Sequence, residues 1–223
     1  MAQASKLMKG ITEAPLRART DLHLLRKFWH MGTGLTGLFI YFISGLKSQE
    51  MACCLFVFSA AVFSFDLLRL RLPALNDLAI KFFGPFMRAN ERDSISGLPF
   101  YALGVSISLY FFDERIAILG ILFLIFSDPI SSAFGILYGK DKIMGGKKSY
   151  QGAAAGFVTC YMLALFYALI YAPMTYSLLG FALLAGIIGS LSELLSIFID
   201  DNLTVPIIST IGLTVLNLGF SIF

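Results

Sequence analysis

"IAILGILFLIFSDPISSAFGILY", residues 116–138, decides the fold class. Its 23 residues carry one charge, Asp128. As an α-helix the stretch is about 35 Å long, enough to cross a hydrocarbon core of roughly 30 Å. Comparable runs recur at 29–46, 51–68, 98–112, 153–172, 178–199 and 203–222, so seven spans are predicted. The whole chain agrees: 57% of its 223 residues are hydrophobic and 14% are charged, where a soluble domain carries about a quarter charged residues. No run alternates strictly between apolar and polar residues as a barrel strand would, and helices are the remaining way to satisfy a backbone in lipid. The expected fold is therefore an all-α integral membrane protein, a bundle of about seven transmembrane helices. Between the second and third spans, "RLPALNDLAIKFFGPFMRANERDS" (71–94) mixes apolar and polar residues at helical spacing, with Pro73 near its start and Gly84-Pro85 breaking it. That pattern predicts an amphipathic helix lying in the membrane interface. Cys53, Cys54 and Cys160 fall inside apolar runs and read as small buried packing residues.

Charge orients the bundle. With seven spans, fifteen Lys and Arg residues fall on one side, and only Lys47 and Arg115 on the other. The positive-inside rule makes the first side cytoplasmic, giving a cytoplasmic N-terminus and an outside C-terminus. The predicted organisation is a cytoplasmic segment over 1–28, then a single transmembrane domain over 29–223 with cytoplasmic loops at about 69–97 and 139–152. Residues 1–28 lack the short apolar core of a secretory signal, so the first span is expected to persist in the mature protein. A bacterial inner membrane is the expected location, or an ER-type membrane in a eukaryote.

Asp128 needs compensation, because a carboxylate within a span costs several kcal/mol, on the order of 3 by insertion scales. At 100° per residue it shares a helix face with Ser131, Ser132, Gly135 and Gly139, a strip of small residues leading to the loop "GKDKIMGGKKSYQG" (139–152). Pro129 removes a backbone donor and predicts a local kink. A second strip, Gly186, Gly189, Ser190, Glu193, Ser196 and Asp200, runs along the sixth span and leads to Asp201 and Asn202. Close packing accounts for the glycines but requires no acids. Asp66 is expected to pair with Arg69 one turn later. Carboxylate oxygens suit Mg²⁺, and lysines with glycine amides suit phosphate oxygens, so acids and a lysine-glycine loop on one side of the membrane point to a nucleoside triphosphate. The loop is no Walker motif, since Lys147 and Lys148 follow Gly146 before Ser149 and no strand is predicted ahead of it.

Four segments in order resemble the CTP-dependent lipid kinase family, which includes dolichol kinase, phytol kinase and yeast-type diacylglycerol kinase. They are "LLRKFWHMGTG", "FMRANERDSISGLPFYALG", "SDPISSAFGILYGKDKIMGGKKSYQGAAAGF" and "SELLSIFIDDNLTVP". The resemblance covers about residues 22–206. It implicates Arg26, Lys27 and His30; Arg88, Glu91 and Gly97; Asp128, Gly135, Gly139 and Lys140; Lys148, Ser149 and Gly152; and Glu193, Asp201, Asn202 and Pro206. The family usually has an acid where this chain has Gln151. What the resemblance implies is transfer of the γ-phosphoryl group of CTP to the hydroxyl of a membrane lipid alcohol, either diacylglycerol or a polyprenol-like or phytol-like isoprenoid. On that reading Asp128, Asp201, Lys148 and His30 are the catalytic candidates. Asp128, Glu193, Asp200 and Asp201 are candidate Mg²⁺ ligands, and Lys140, Lys147 and Lys148 candidate phosphate ligands. Arg26, Lys27, Arg88, Glu91, Gly135, Gly139, Ser149, Gly152 and Asn202 complete the expected nucleotide site. The partners implied are CTP, the lipid alcohol and membrane lipids, and nucleic acid is not among them.

Two other readings compete. A phosphatidate cytidylyltransferase also uses CTP and Mg²⁺ and has a comparable lysine-glycine loop, but such enzymes end in a signature with histidine, and this chain's only histidines are His23 and His30. An ion-coupled transporter would use intramembrane acids, yet paired repeats with corresponding helix breaks are missing, since Asp128-Pro129 has no counterpart in the first half.

Overall fold

In the computed structural model, residues 22–196 and 199–223 are described. Residues 1–21, with Lys6, Lys9, Arg17 and Arg19, lie outside them, so most of the expected 1–28 segment does too. The described residues form eight helices: α1 (Leu24–Ser44), α2 (Ser48–Arg71), α3 (Pro73–Phe83), α4 (Gly97–Phe111), α5 (Glu114–Leu137), α6 (Tyr150–Ala168), α7 (Tyr176–Leu195) and α8 (Asp201–Phe220). Short 3₁₀ turns at Gly84–Phe86 and Ala89–Arg92 follow α3.

Five of these, α2, α5, α6, α7 and α8, are long and apolar enough to cross a membrane. The seven expected spans are thus shown only in part. The segment at 98–112 is a 15-residue helix, α4. The segment at 29–46 belongs to α1, which starts earlier, so Arg26, Lys27 and His30 lie on a helix and its first turns are polar. The amphipathic helix after the second span is α3, with Pro73 in its first turn, where the missing N–H costs nothing.

The core is built around α5. Two-thirds of its apolar window (67%) is buried, against 22–44% for the other four long helices. One face, with Ala117, Ile118, Ile121, Leu124 and Ile125, packs on Tyr41, Met51, Val105 and Val205. Its other face, with Ile116, Leu119 and Phe123, packs on Cys160, Ala164, Phe181 and Leu213. Small hydroxyls join neighbouring helices: Ser59 donates to the Pro99 carbonyl (2.7 Å) and Ser106 to that of Ala52 (2.7 Å), tying α2 to α4. Burial of this kind leaves large side chains such as Phe39, Phe56, Phe166 and Leu218 exposed on the outer faces, the arrangement a lipid surround requires. Cys160 is buried as expected, whereas Cys53 and Cys54 are exposed.

One feature within α5 and one in the loop after it shape the rest of this end of the molecule. Over Phe123–Ser127 the helix widens into a π segment just before Asp128-Pro129, the place where a kink was expected. The lysine-glycine loop is an ordered antiparallel hairpin of β1 (Lys142–Ile143) and β2 (Lys148–Ser149), pairing Lys142 with Ser149 and Ile143 with Lys148. Its tip places Gly145 and Gly146 at φ 68° and 88°, where a side chain would be strained.

Candidate functional site

The connections after α1, α2, α4, α5, α6 and α7 turn successive segments back, so the α1 start, the α5 end, the hairpin, the α6 start, the α7 end and the α8 start gather at one end of the bundle. They enclose a cavity of about 520 Å³. From α1 come His23, Arg26, Lys27 and His30, and from the loop after α3 comes Arg88. The strip on α5 supplies Asp128, Ser131, Ser132 and Gly135, the hairpin Lys142, Lys147, Lys148 and Ser149, and the last two helices Glu193, Asp201 and Asn202. With Arg26 taken up by Glu91 outside the cavity, five Lys and Arg side chains face three carboxylates. The balance favours a polyanionic ligand.

Each group is held by identifiable partners. Lys148 donates to Glu193 (3.0 Å), which also accepts from Ser131. Burial pushes the Lys148 ammonium down, but Glu193, Asp128 and Asp201 outweigh it, so its pKa sits above the ordinary lysine value. Arg88 is likewise held up, burial notwithstanding, by Asp201, Asp128 and Asp200; it lies 3.5 Å from Asp201 and 4.0 Å from Asp200. Both cations stay charged. Lys27 donates to Ser132 (2.7 Å), joining α1 to α5. Among the described residues the Asp128 carboxylate accepts no hydrogen bond, although it lines the cavity beside Lys27, Arg88 and Lys148.

Glycines set the spacing between α5 and α6. A Cβ on Gly152 would stand 2.8 Å from the Ser131 carbonyl oxygen, a distance no real side chain tolerates, so the hairpin end of α6 closes on the acidic strip only with glycine there. Ser149 accepts from the Gly152 amide (3.1 Å) and caps α6.

Several expected residues lie elsewhere. Glu91 is outside the cavity wall: it pairs with Arg26 (2.9 Å) and accepts from the Arg88 amide (3.2 Å), so it positions the loop that carries Arg88. Arg26 also donates to the Phe86 carbonyl (2.7 Å) and clamps the same loop. Lys140 and Gly139 do not line the cavity, because the chain leaves α5 at Leu137 before the hairpin turns back. Asp200 and Asp201 begin α8; they do not end the preceding helix, and Asp200 caps α8 by accepting from the Asn202 amide (3.0 Å). Of the four acids expected to hold Mg²⁺, Asp128, Glu193 and Asp201 line the cavity and Asp200 precedes Asp201 at the start of α8, while among the described residues no three His, Cys, Asp or Glu side chains form a metal-holding group. Glu193 is neutralised by Lys148, Asp200 caps a helix, and Asp201 faces Arg88.

Two features were not legible in the sequence. Lys142, which its charge marks only as a topology residue, lines the cavity, and the two-residue strands that place it are too short to register as a periodic signal. Arg69, expected only as Asp66's partner (2.6 Å), also donates to Asn76 (2.7 Å) and to the Glu91 (3.0 Å) and Ser94 (2.8 Å) carbonyls, anchoring the 84–96 loop. Gln151 points away from the cavity: its amide nitrogen donates to Asp141 (2.6 Å), fastening the base of the hairpin. A carboxylate there would face Asp141.

The chain is similar to three fungal proteins described as CTP-dependent diacylglycerol kinase 1. It is 32% identical to that of Schizosaccharomyces pombe over 66% of this chain and 72% of the relative. It is 29% identical to that of Eremothecium gossypii over 95% of this chain and 74% of the relative, and 28% identical to that of Saccharomyces cerevisiae over 86% and 72%. No protein-family model matches the chain, and no solved structure matches it significantly.

Proposed function

The chain belongs to the CTP-dependent lipid kinase family, and from that premise we propose that it transfers the γ-phosphoryl group of CTP to the hydroxyl of a membrane lipid alcohol, diacylglycerol being the acceptor its relatives' names indicate. The observation that carries this reading is the facing of the lysine hairpin and Asp128 across one cavity of about 520 Å³, within the range of small-ligand sites, on the order of 300–1,000 Å³. In this reading Lys142, Lys147, Lys148 and Arg88 hold the phosphate oxygens, and every helix other than α3 spans the membrane with this end cytoplasmic, where CTP is. The lipid oxygen bonds to the γ-phosphorus, the bond from that phosphorus to the β–γ bridging oxygen breaks, CDP leaves, and the hydroxyl proton is released. Such transfer depends on position and charge more than on covalent help from the protein.

The residues fit a Mg²⁺ that arrives with the triphosphate better than a resident ion. Mg²⁺ commonly takes one or two carboxylates and completes its shell with phosphate oxygens and water. Asp128, whose carboxylate accepts no hydrogen bond among the described residues, would hold it, with Asp201 nearest in role. When bound, the ion would screen the charge on the phosphates. The chain's own part is to keep Lys148 aimed through Glu193 and to keep Arg88 aimed through the Glu91–Arg26 clamp.

The test is label transfer by the purified protein from γ-labelled CTP, offered diacylglycerol, polyprenol and phytol, and separately phosphatidate. Label in an alcohol's phosphate supports the proposal; CDP-lipid with released pyrophosphate would support a cytidylyltransferase instead, and neither product would remove both.

A further inference from the structure

His30 sits at the cavity wall and would be taken for a group that touches the substrate. Its hydrogen bond says otherwise. The Nε2 atom lies 3.1 Å from the Leu124 carbonyl oxygen, and because a carbonyl only accepts, Nε2 is the donor. Leu124 is fully buried and belongs to the π segment Phe123–Ser127.

The reason Leu124 needs an outside donor lies in the register. In an α-helix its carbonyl would accept from the amide of residue 128, four positions on. Within the π segment the bonds run from residue i to i+5, so the Asp128 amide turns to Phe123 and Leu124 is left with residue 129. Residue 129 is proline and has no N–H. The widened turn and the proline together strip one buried carbonyl of its helical partner, and an unpaired buried carbonyl is costly. His30 reaches across from α1 and supplies the missing donor, and its ring is itself fixed edge-on against Tyr101 at 5.0 Å.

We infer that His30 is a positioning residue: by completing the hydrogen bond that Pro129 denies Leu124, it locks the π turn that aims Asp128 into the cavity. The inference deepens the proposed phosphotransfer, on which its activity readout rests, while its stability readout does not depend on that reading. The bond also holds α1 against α5, four residues along α1 from Arg26 and three from Lys27, so the same contact sets the distance between the Lys27 wall and the Asp128 wall.

The test is a double-mutant cycle on the purified protein in detergent, read by thermal unfolding and by label transfer from CTP. His30→Leu lowers the unfolding midpoint and reduces kcat by roughly 10- to 100-fold with little change in KM for CTP, the size expected when a reacting group is misplaced by a fraction of an ångström to an ångström. His30→Gln, which keeps an N–H donor, retains most of both. Pro129→Ala gives the backbone its hydrogen back, so His30→Leu in that background costs distinctly less in midpoint than it does in the wild type. Additive midpoint losses in the cycle would overturn the inference. Equal inactivation by His30→Leu and His30→Gln at an unchanged midpoint would overturn it too, by placing the imidazole on the substrate. If the wild type shows no label transfer, the midpoint cycle still decides the His30 assignment and only the phosphotransfer reading fails.

Discussion

Two clusters of buried charge lie near each other at the same end of the bundle, and they are finished to different degrees. In the first, Asp66, Arg69, Arg26 and Glu91 meet their hydrogen-bonding needs within the protein: Arg69 reaches four acceptors, Asp66 also accepts from the Ser96 amide (2.7 Å), and Glu91 serves both Arg26 and the Arg88 amide. In the second, around the cavity, cations outnumber carboxylates, Asp128 accepts no hydrogen bond among the described residues, and Lys142 and Lys147 of the hairpin are exposed. A buried charge is tolerated when it is paired. The first cluster is therefore explained by the fold alone, whereas the second leaves charged groups facing a cavity, which the proposed function fills with a triphosphate and its metal.

The contrast is sharpest at Arg69. Replacing it with Met leaves Asp66 buried without its partner, which costs roughly 3–5 kcal/mol; the expected outcome is loss of most folded protein, measured by yield and unfolding midpoint in detergent. Changing Asp66 to Leu in the same chain removes the orphaned charge and recovers part of the loss. Asp128→Asn should behave in the opposite way, with an unfolding midpoint near that of the wild type and label transfer down by on the order of 10²–10³. A large midpoint drop there would place Asp128 among the structural charges.

Lys148→Ala lies between the two, because it removes a cavity cation and strands Glu193. It should lose roughly 10²-fold in activity and also destabilise the protein. Adding Glu193→Gln should restore the midpoint without the activity, separating what the pair does for the fold from what the lysine does for the phosphates.

A smaller effect is expected at Asp200, whose burial, with the Asp201 charge beside it, pushes it up to about 6. An acid raised in the folded state binds its proton more tightly there than when unfolded, so this group's contribution is greatest at low pH and is lost as pH rises from about 4 through about 6. Asp200→Asn keeps the helix cap and should flatten that part of the midpoint-against-pH curve. Gln151→Glu should change activity least, by about twofold or less, since the side chain fastens the hairpin to Asp141 and does not line the cavity; the repulsion it introduces is exposed and screened.

What could be read in the sequence divides along physical lines. The apolar runs marked the helices, because burial in lipid writes length and composition directly into the chain. Asp128 stood out because a carboxylate in such a run is costly, and the order of the four resembling segments led to the family. The Asp66–Arg69 pair was legible because its spacing is local. The roles of Glu91, Arg26 and Lys142 were not, since each depends on a contact formed across the fold: the Arg26–Glu91 pair spans 65 positions, and Lys142 is aimed by strands of two residues. How the four candidate metal acids divide their contacts was not legible either. Proximity in sequence put Asp200 beside Asp201, but the helix they begin turns one into a cap and the other toward Arg88.

Amide hydrogen exchange of the purified protein with and without CTP and Mg²⁺ tests the central claim most directly. The account predicts slowed exchange over the hairpin, 139–152, and at the start of α1, with little change at the opposite end around 44–50 and 111–115. Protection at that opposite end, or an unprotected hairpin while CTP is bound, would contradict it.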